Sequence, residues 1–272
     1  MSVRAPALAL AASIRPANNR ASLVAFVGAG LILGAPGVQL AIGGVLIVAA
    51  YGVAVILNDL SDQAVDRANA NLTPLVSGTV TPGQAWAMLG CCAAAVGASQ
   101  AWLRQPVGVE FSVTYLALAV GYSLPGLAIE DRGLLATALL ATCYCVLPLW
   151  FAAGLAPADP DHFEALLAVA GLLGAGGLLY KDFRDRTGDA LHGKRTPLVR
   201  YGATAVVVAS FVLSAGGGLT LVALSPHPLV SGLLVLVAWC VLVRVALRRG
   251  ANPWAVQLYY LLCAGALLSG LE

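Results

Sequence analysis

The chain has 272 residues, 60% of them hydrophobic and only 10% charged, with a formal net charge of +2 and a mean hydropathy of +0.86. Soluble domains average ~25% charged residues, so the composition is that of an integral membrane protein. The slight basic excess is explained by membrane topology and gives no ground for a nucleic-acid partner.

A helix that crosses a bilayer needs ~20 mostly apolar residues. The stretch before Arg15 is too short and too broken by Pro6 to read as a signal peptide, and residues 1–20 are expected to lie as a tail at the membrane interface. Nine apolar segments follow, at about 21–37, 38–57, 84–103, 107–125, 133–154, 163–180, 203–224, 228–247 and 254–271. Only Ala35-Pro36-Gly37 separates the first two. No long polar linker interrupts the series, so a single domain over 1–272 is expected: an all-α bundle of nine transmembrane helices around a central cavity.

Charge predicts the orientation. With nine crossings and the N-terminus in the cytoplasm, fourteen of the fifteen basic residues fall on the cytoplasmic side and only Arg104 falls opposite. The acidic loop containing Asp159, Asp161 and Glu164 then lies outside. This is the asymmetry of the positive-inside rule. It predicts a cell inner or plasma membrane protein whose site opens to the cytoplasm.

Two aspartate clusters stand where apolar segments run out, NDLSDQAVD at Asn58–Asp66 and KDFRDRTGD at Lys181–Asp189. They belong to the second-to-third and sixth-to-seventh connections, on the same predicted side. If each continued its helix, Asn58, Asp59, Asp62 and Asp66 would share a ~100° arc, and Asp182, Asp185 and Asp189 a ~60° arc. Carboxylates crowded on one face repel unless a cation lies between them. An all-oxygen donor set suits Mg²⁺, which is commonly held by a few carboxylates and substrate phosphates. Both clusters are followed by Thr-Pro-Leu-Val, at Thr73–Val76 and Thr196–Val199, an echo predicting that the two sites are built alike. Between them lies YSLPGLAIEDRG, Tyr122–Gly133, in which Pro125 and Gly126 end the fourth span. Tyr51 with Asn58, and Tyr115 with Tyr122, are each seven apart and share a helix face. They line a site or form an interfacial aromatic belt. The six cysteines lie in apolar spans without a CxxC pair and read as small buried residues, and the three histidines lack metal-ligand spacing.

Mg²⁺ between two acidic faces would hold a polyanion such as a diphosphate, and the apolar bundle beneath would take a hydrocarbon chain. Prenyl diphosphates have that shape. Loss of diphosphate gives an allylic cation, which a dry, aromatic pocket would protect until an acceptor attacks.

Over nearly its whole length the chain resembles the UbiA-type intramembrane prenyltransferases. The likeness rests on Arg15-Pro16, the nine spans, NDxxDxxxD, Pro74-Leu75-Val76-Ser77-Gly78, a Tyr-Ser-x-Pro loop, and DxxxD followed by Gly-x-x-Thr. The resemblance implies that Asn58, Asp59 and Asp62, assisted by Asp66, bind one Mg²⁺. It implies that Asp185 and Asp189, with Asp182, bind a second, and that Lys194 or Arg195 holds diphosphate oxygens. Asp59, Asp62, Asp185, Asp189 and Tyr122 are the candidate catalytic residues. Two positions depart from the family pattern. Thr73 stands where an arginine is usual, and Glu130 where a lysine is usual. Arg67, Lys181 and Arg132 are candidates to replace the missing cations. Glu130 itself reads as a solvated loop residue, so Glu130→Lys is expected to tighten diphosphate binding. The expected substrates are a prenyl diphosphate and an aromatic or lipid acceptor, in contact with the bilayer. A terpene cyclase of the same architecture, needing no acceptor, is the alternative. A cation transporter is disfavoured because transport pathways put charges near mid-span.

Overall fold

Within a bilayer each backbone N–H and C=O needs an internal partner, so apolar runs become helices. The computed structural model describes residues 13–124, 127, 129–157, 162–183, 185–247 and 253–271, and among these there is no strand. The helices are α1 (Arg20–Ile32), α2 (Gly37–Ser61), α3 (Gln63–Ala68), α4 (Pro82–Leu103), α5 (Pro106–Ser123), α6 (Leu134–Leu155), α7 (Phe163–Leu178), α8 (Arg186–Leu191), α9 (Pro197–Leu224), α10 (Pro228–Leu247) and α11 (Pro253–Leu268). Among the described residues α2, α4, α6, α9, α10 and the segment Phe163–Phe183, which contains α7, are long and apolar enough to cross a membrane. The other three expected segments are also helical. Arg20–Ile32 and Trp254–Leu268 are apolar but shorter, and α5 has 18 residues. Asp159, Asp161, Pro125, Gly126, Arg184, Arg248, Arg249 and residues 1–12 of the expected tail lie outside the described residues.

Local signals place the helix starts. Proline stands at the first position of α4, α5, α9, α10 and α11, where no amide hydrogen is needed. Thr81 and Gln84 form a reciprocal capping box on α4. The repeated Thr-Pro-Leu-Val segments do fold alike. Thr73 Oγ1 accepts from Val76 N at 3.2 Å, and Thr196 Oγ1 from Val199 N at 3.5 Å. Each segment then reaches a glycine at positive φ, Gly78 at 74° and Gly202 at 78°. The second unit passes directly into the long part of α9, whereas the first needs the extra Thr81-Pro82 cap.

α2 packs against α4 and α5, α6 against α1 and α7, and α7 against α9; α10 and α11 follow, and α11 returns to α1. The first and last of these apolar helices thus meet and close the ring. Phe26, Phe151 and Phe111 stack at its centre, with ring centroids 5.2 Å and 4.7 Å apart. The outer faces are apolar, with Trp102, Leu229 and Val38 strongly exposed, as a lipid-facing surface requires.

Candidate active site

One cavity of about 420 Å³ runs into the ring from the end where both acidic clusters sit. α1, α2, α5, α6, α7 and α11 contribute its walls. Down α5, Tyr122, Ala119 and Tyr115 line it, while Phe111, one turn further, is fully buried in the phenylalanine stack. Phe111 lies ~16 Å along α5 from Tyr122, and none of the three stacked rings is part of the lining.

The two clusters meet over this cavity although 120 residues separate them. α3 packs on α8. Asn69 joins them, accepting from Gly188 N at 2.6 Å and donating to Asp189 Oδ1 at 3.4 Å. The backbone of Asp62 and Asp66 keeps helical spacing, each amide bonding four residues back, through a slight break at Asp62. Asn58, Asp62 and Asp66 accordingly line the cavity. The second cluster is not one continued helix. α7 ends at Leu178, a 3₁₀ turn spans Lys181–Phe183, and Asp185 precedes α8. The folded-back chain still turns Asp182, Asp185 and Asp189 into the cavity.

Asp59 departs from the expected face. It stands at the edge of the predicted arc and points instead to Arg15, whose Nη2 lies 2.5 Å from Asp59 Oδ1. The carboxylate is buried and does not line the cavity, whereas Arg15 does. Of the expected interfacial tail, Ser13 and Asn19 are buried and Arg15 reaches the site. The signal for Arg15 was the Arg-Pro pair, but its partner could not be read from spacing.

The expected cations divide. Lys181 lines the cavity, donates to Tyr122 OH at 3.1 Å and pairs with Asp182 Oδ1 at 2.8 Å. Lys194 also lines it, between Asp62 Oδ2 at 2.9 Å and Glu130 Oε1 at 3.0 Å. Arg67, Arg132 and Arg195 are exposed and outside the lining. Arg67 rests on Gln63 at 3.4 Å, because α3 turns it away from α8. Thr73 is buried in its own turn and does not face the cavity.

Glu130 is not a solvated loop residue. Its side chain is 12% exposed, and its second oxygen accepts from Asn58 Nδ2 at 3.3 Å. It ties the middle loop to Asn58 of the first cluster and to Lys194, just beyond the second. Burial works against charge on Lys194, but Glu130 and Asp62 outweigh it and hold the ammonium above the ordinary lysine range. Burial, together with the charge of Asp182, pushes Asp189 up to about 6 against the pull of Lys194. Burial also raises Asp66, opposed by its hydrogen bond from Asn71. Six carboxylates and three cations line the mouth. Among the described residues, no three acidic, histidine or cysteine side chains are drawn together as a ready metal cage.

Below the mouth the walls are apolar and aromatic. Tyr51, Tyr115, Tyr122 and Tyr144 all line it, and Tyr51 meets Tyr144 edge-on at 5.8 Å. A π-helical turn at Thr142–Val146 brings Cys143, Tyr144 and Cys145 in succession to the wall. π-turns of this kind frequently occur at functional sites. Ser22 donates to the Tyr144 carbonyl at 2.7 Å. Hydropathy patterning gave no sign of this turn.

Comparison with known proteins bears on the family and the fold. The model of the UbiA prenyltransferase family matches residues 21–266. The bacteriochlorophyll synthase 33 kDa chain of Cereibacter sphaeroides is 30% identical over 231 residues, 79% of this chain and 76% of that protein. A UbiA homolog from Archaeoglobus fulgidus, solved with GPP and Mg²⁺ bound, superposes with a TM-score of 0.70 at 17% identity, covering 96% of this chain and 98% of its own. The apo structure of a UbiA homolog from Aeropyrum pernix K1 gives 0.61 at 20% identity, covering 91% and 94%.

Proposed function

The chain belongs to the UbiA prenyltransferase family, and on that premise we propose that it transfers a prenyl group from a prenyl diphosphate to a hydrophobic acceptor inside the membrane. One observation carries this reading. A single cavity joins two remote acidic clusters at its mouth to an aromatic, apolar interior. The mouth suits a charged head and the interior a hydrocarbon tail.

Six carboxylates against three cations would repel a diphosphate on its own. A divalent cation must accompany it, and the oxygen-only donors fit Mg²⁺. Asn58, Asp62 and Asp66 would hold one such ion, and Asp182, Asp185 and Asp189 a second. When bound, Mg²⁺ supplies Lewis-acid stabilisation of the departing diphosphate. Arg15, Lys181 and Lys194 grip diphosphate oxygens, and Asp59 orients Arg15 from behind. The C1–O bond breaks with its electron pair going to the diphosphate. An acceptor atom bonds to the allylic C1, and the acceptor's proton leaves with the diphosphate. Tyr51, Tyr115, Tyr122 and Tyr144 exclude water and present π faces to the cation. The chain acts as one domain of nine crossings in the cell membrane, with its N-terminus and cavity mouth cytoplasmic.

The test uses purified protein in lipid nanodiscs with geranyl diphosphate and Mg²⁺, with and without a phenolic acceptor. The expected product is a prenylated acceptor, abolished by EDTA. A cyclic hydrocarbon formed without acceptor would identify a cyclase instead, and absence of any turnover or diphosphate binding would reject both.

A further inference from the structure

α11 reads PWAVQLYYLLCAGALL, and Gln257 is its one amide in an otherwise apolar and aromatic run. Two neighbouring tyrosines on this helix behave differently. Tyr259 is fully buried, with its hydroxyl 2.9 Å from the Ser214 hydroxyl and donating to the Leu173 carbonyl at 2.9 Å. Its polar end is consumed by helix packing. Tyr260, ~100° further round the helix, lines the cavity and has a buried hydroxyl with no partner among the described residues. Gln257 Oε1 shares both properties. The other buried side-chain atoms without partners, on Asn19, Gln100, Tyr180 and Trp239, belong to residues outside the cavity lining.

Gln257 and Tyr260 are three apart and so lie on one face of α11. The Tyr260 ring fits against Gly177, where an added Cβ would stand 2.8 Å from it. Gly177 precedes Lys181 by four residues, across the end of α7 and the 3₁₀ turn that follows. The Tyr260 ring therefore packs beside the last turn of α7, just before the chain turns to Lys181 at the mouth. Buried polar groups without partners cost stability, and on a cavity wall these two are open to pairing with a ligand.

We propose that Gln257 and Tyr260 form the subsite for the head of the acceptor, and that this acceptor is a neutral hydroxyl compound, a phenol or alcohol, rather than a carboxylate. The proposal rests on the prenyltransferase reading above. An amide and a phenol are both uncharged and together both donate and accept, which matches a hydroxyl group. A carboxylate would need a cation here. The cations that line the cavity, Arg15, Lys181 and Lys194, belong to its mouth and are assigned above to the diphosphate.

The test compares wild type, Gln257→Leu and Tyr260→Phe. Each is titrated with geranyl diphosphate and Mg²⁺, and then, with that substrate saturating, with 4-butylphenol or 4-butylbenzoate. Geranyl diphosphate affinity should change less than twofold in both variants. The KM for 4-butylphenol should rise at least tenfold with a smaller change in kcat, and wild type should prefer the phenol to the benzoate. Neither variant should melt below wild type, because Gln257 Oε1 and the Tyr260 hydroxyl have no partner among the described residues. An unchanged phenol KM in both variants, a preference for the benzoate, or a lowered melting temperature would overturn the subsite while leaving the prenyltransferase reading intact. Failure of wild type to bind geranyl diphosphate would overturn that reading and the subsite with it.

Discussion

Family resemblance suggests that Glu130→Lys restores a missing cation, but the structure predicts that it breaks the mouth of the cavity. Lys194 Nζ lies 3.0 Å from Glu130 Oε1 and 2.9 Å from Asp62 Oδ2, with all three side chains at most 15% exposed. Two unit charges at ~3 Å and an effective dielectric of ~20 interact by about 5–6 kcal/mol before desolvation is counted. Breaking a buried pair costs ~3–5 kcal/mol. Because Asp62 still holds Lys194, the net loss on removing the Glu130 charge is about 2 kcal/mol, or ~30-fold. Glu130→Gln keeps a neutral acceptor and should lose less than this. Glu130→Lys adds repulsion between two ammonium groups, bringing the total to roughly 4 kcal/mol, on the order of 10³-fold. The assay is geranyl diphosphate affinity with Mg²⁺ and the rate of its consumption, together with melting temperature. Affinity should fall in the order wild type, Glu130→Gln, Glu130→Lys. A Glu130→Lys protein that binds more tightly than wild type and melts at the same temperature would refute the argument and return Glu130 to the role of a solvated residue.

Asp62→Ala, Asp185→Ala and Asp189→Ala should each lower turnover by ~10²–10³-fold, the scale of one lost electrostatic donor. Near-normal rates in all three would remove the acidic mouth from the chemistry. For Arg15 and Asp59, a double-mutant cycle of Arg15→Leu and Asp59→Asn should give a coupling energy of about 1–3 kcal/mol in melting experiments, and additive effects would show that the pair is not a unit. Cysteines introduced at positions 63 and 187 should react with an impermeant reagent from the same side, the cytoplasmic one. Opposite-side labelling would contradict a shared site.

Much of this protein is local in origin and therefore readable in order along the chain. Apolar runs become helices because a bilayer leaves backbone groups no other partner. Prolines and threonines mark helix starts through their own geometry, and the paired Thr-Pro-Leu-Val segments predicted two turns of like construction. The aspartate spacing brought Asn58, Asp62 and Asp66 to one face because the i→i−4 bonds continue almost unbroken past Ser61. Other features depend on residues that meet only when the ring closes. Asp59 belongs to Arg15, 44 positions away. Asn69 bridges to Gly188 and Asp189. Glu130 is joined to Lys194 rather than to water. The six acidic residues of the two motifs look alike as a string, and what separates them is which cation or amide the rest of the chain delivers to each. The same holds for Tyr259 and Tyr260. Adjacent and identical in sequence, they differ by one ~100° step of the helix, which sends one hydroxyl into a packed interface and the other to the wall of the cavity.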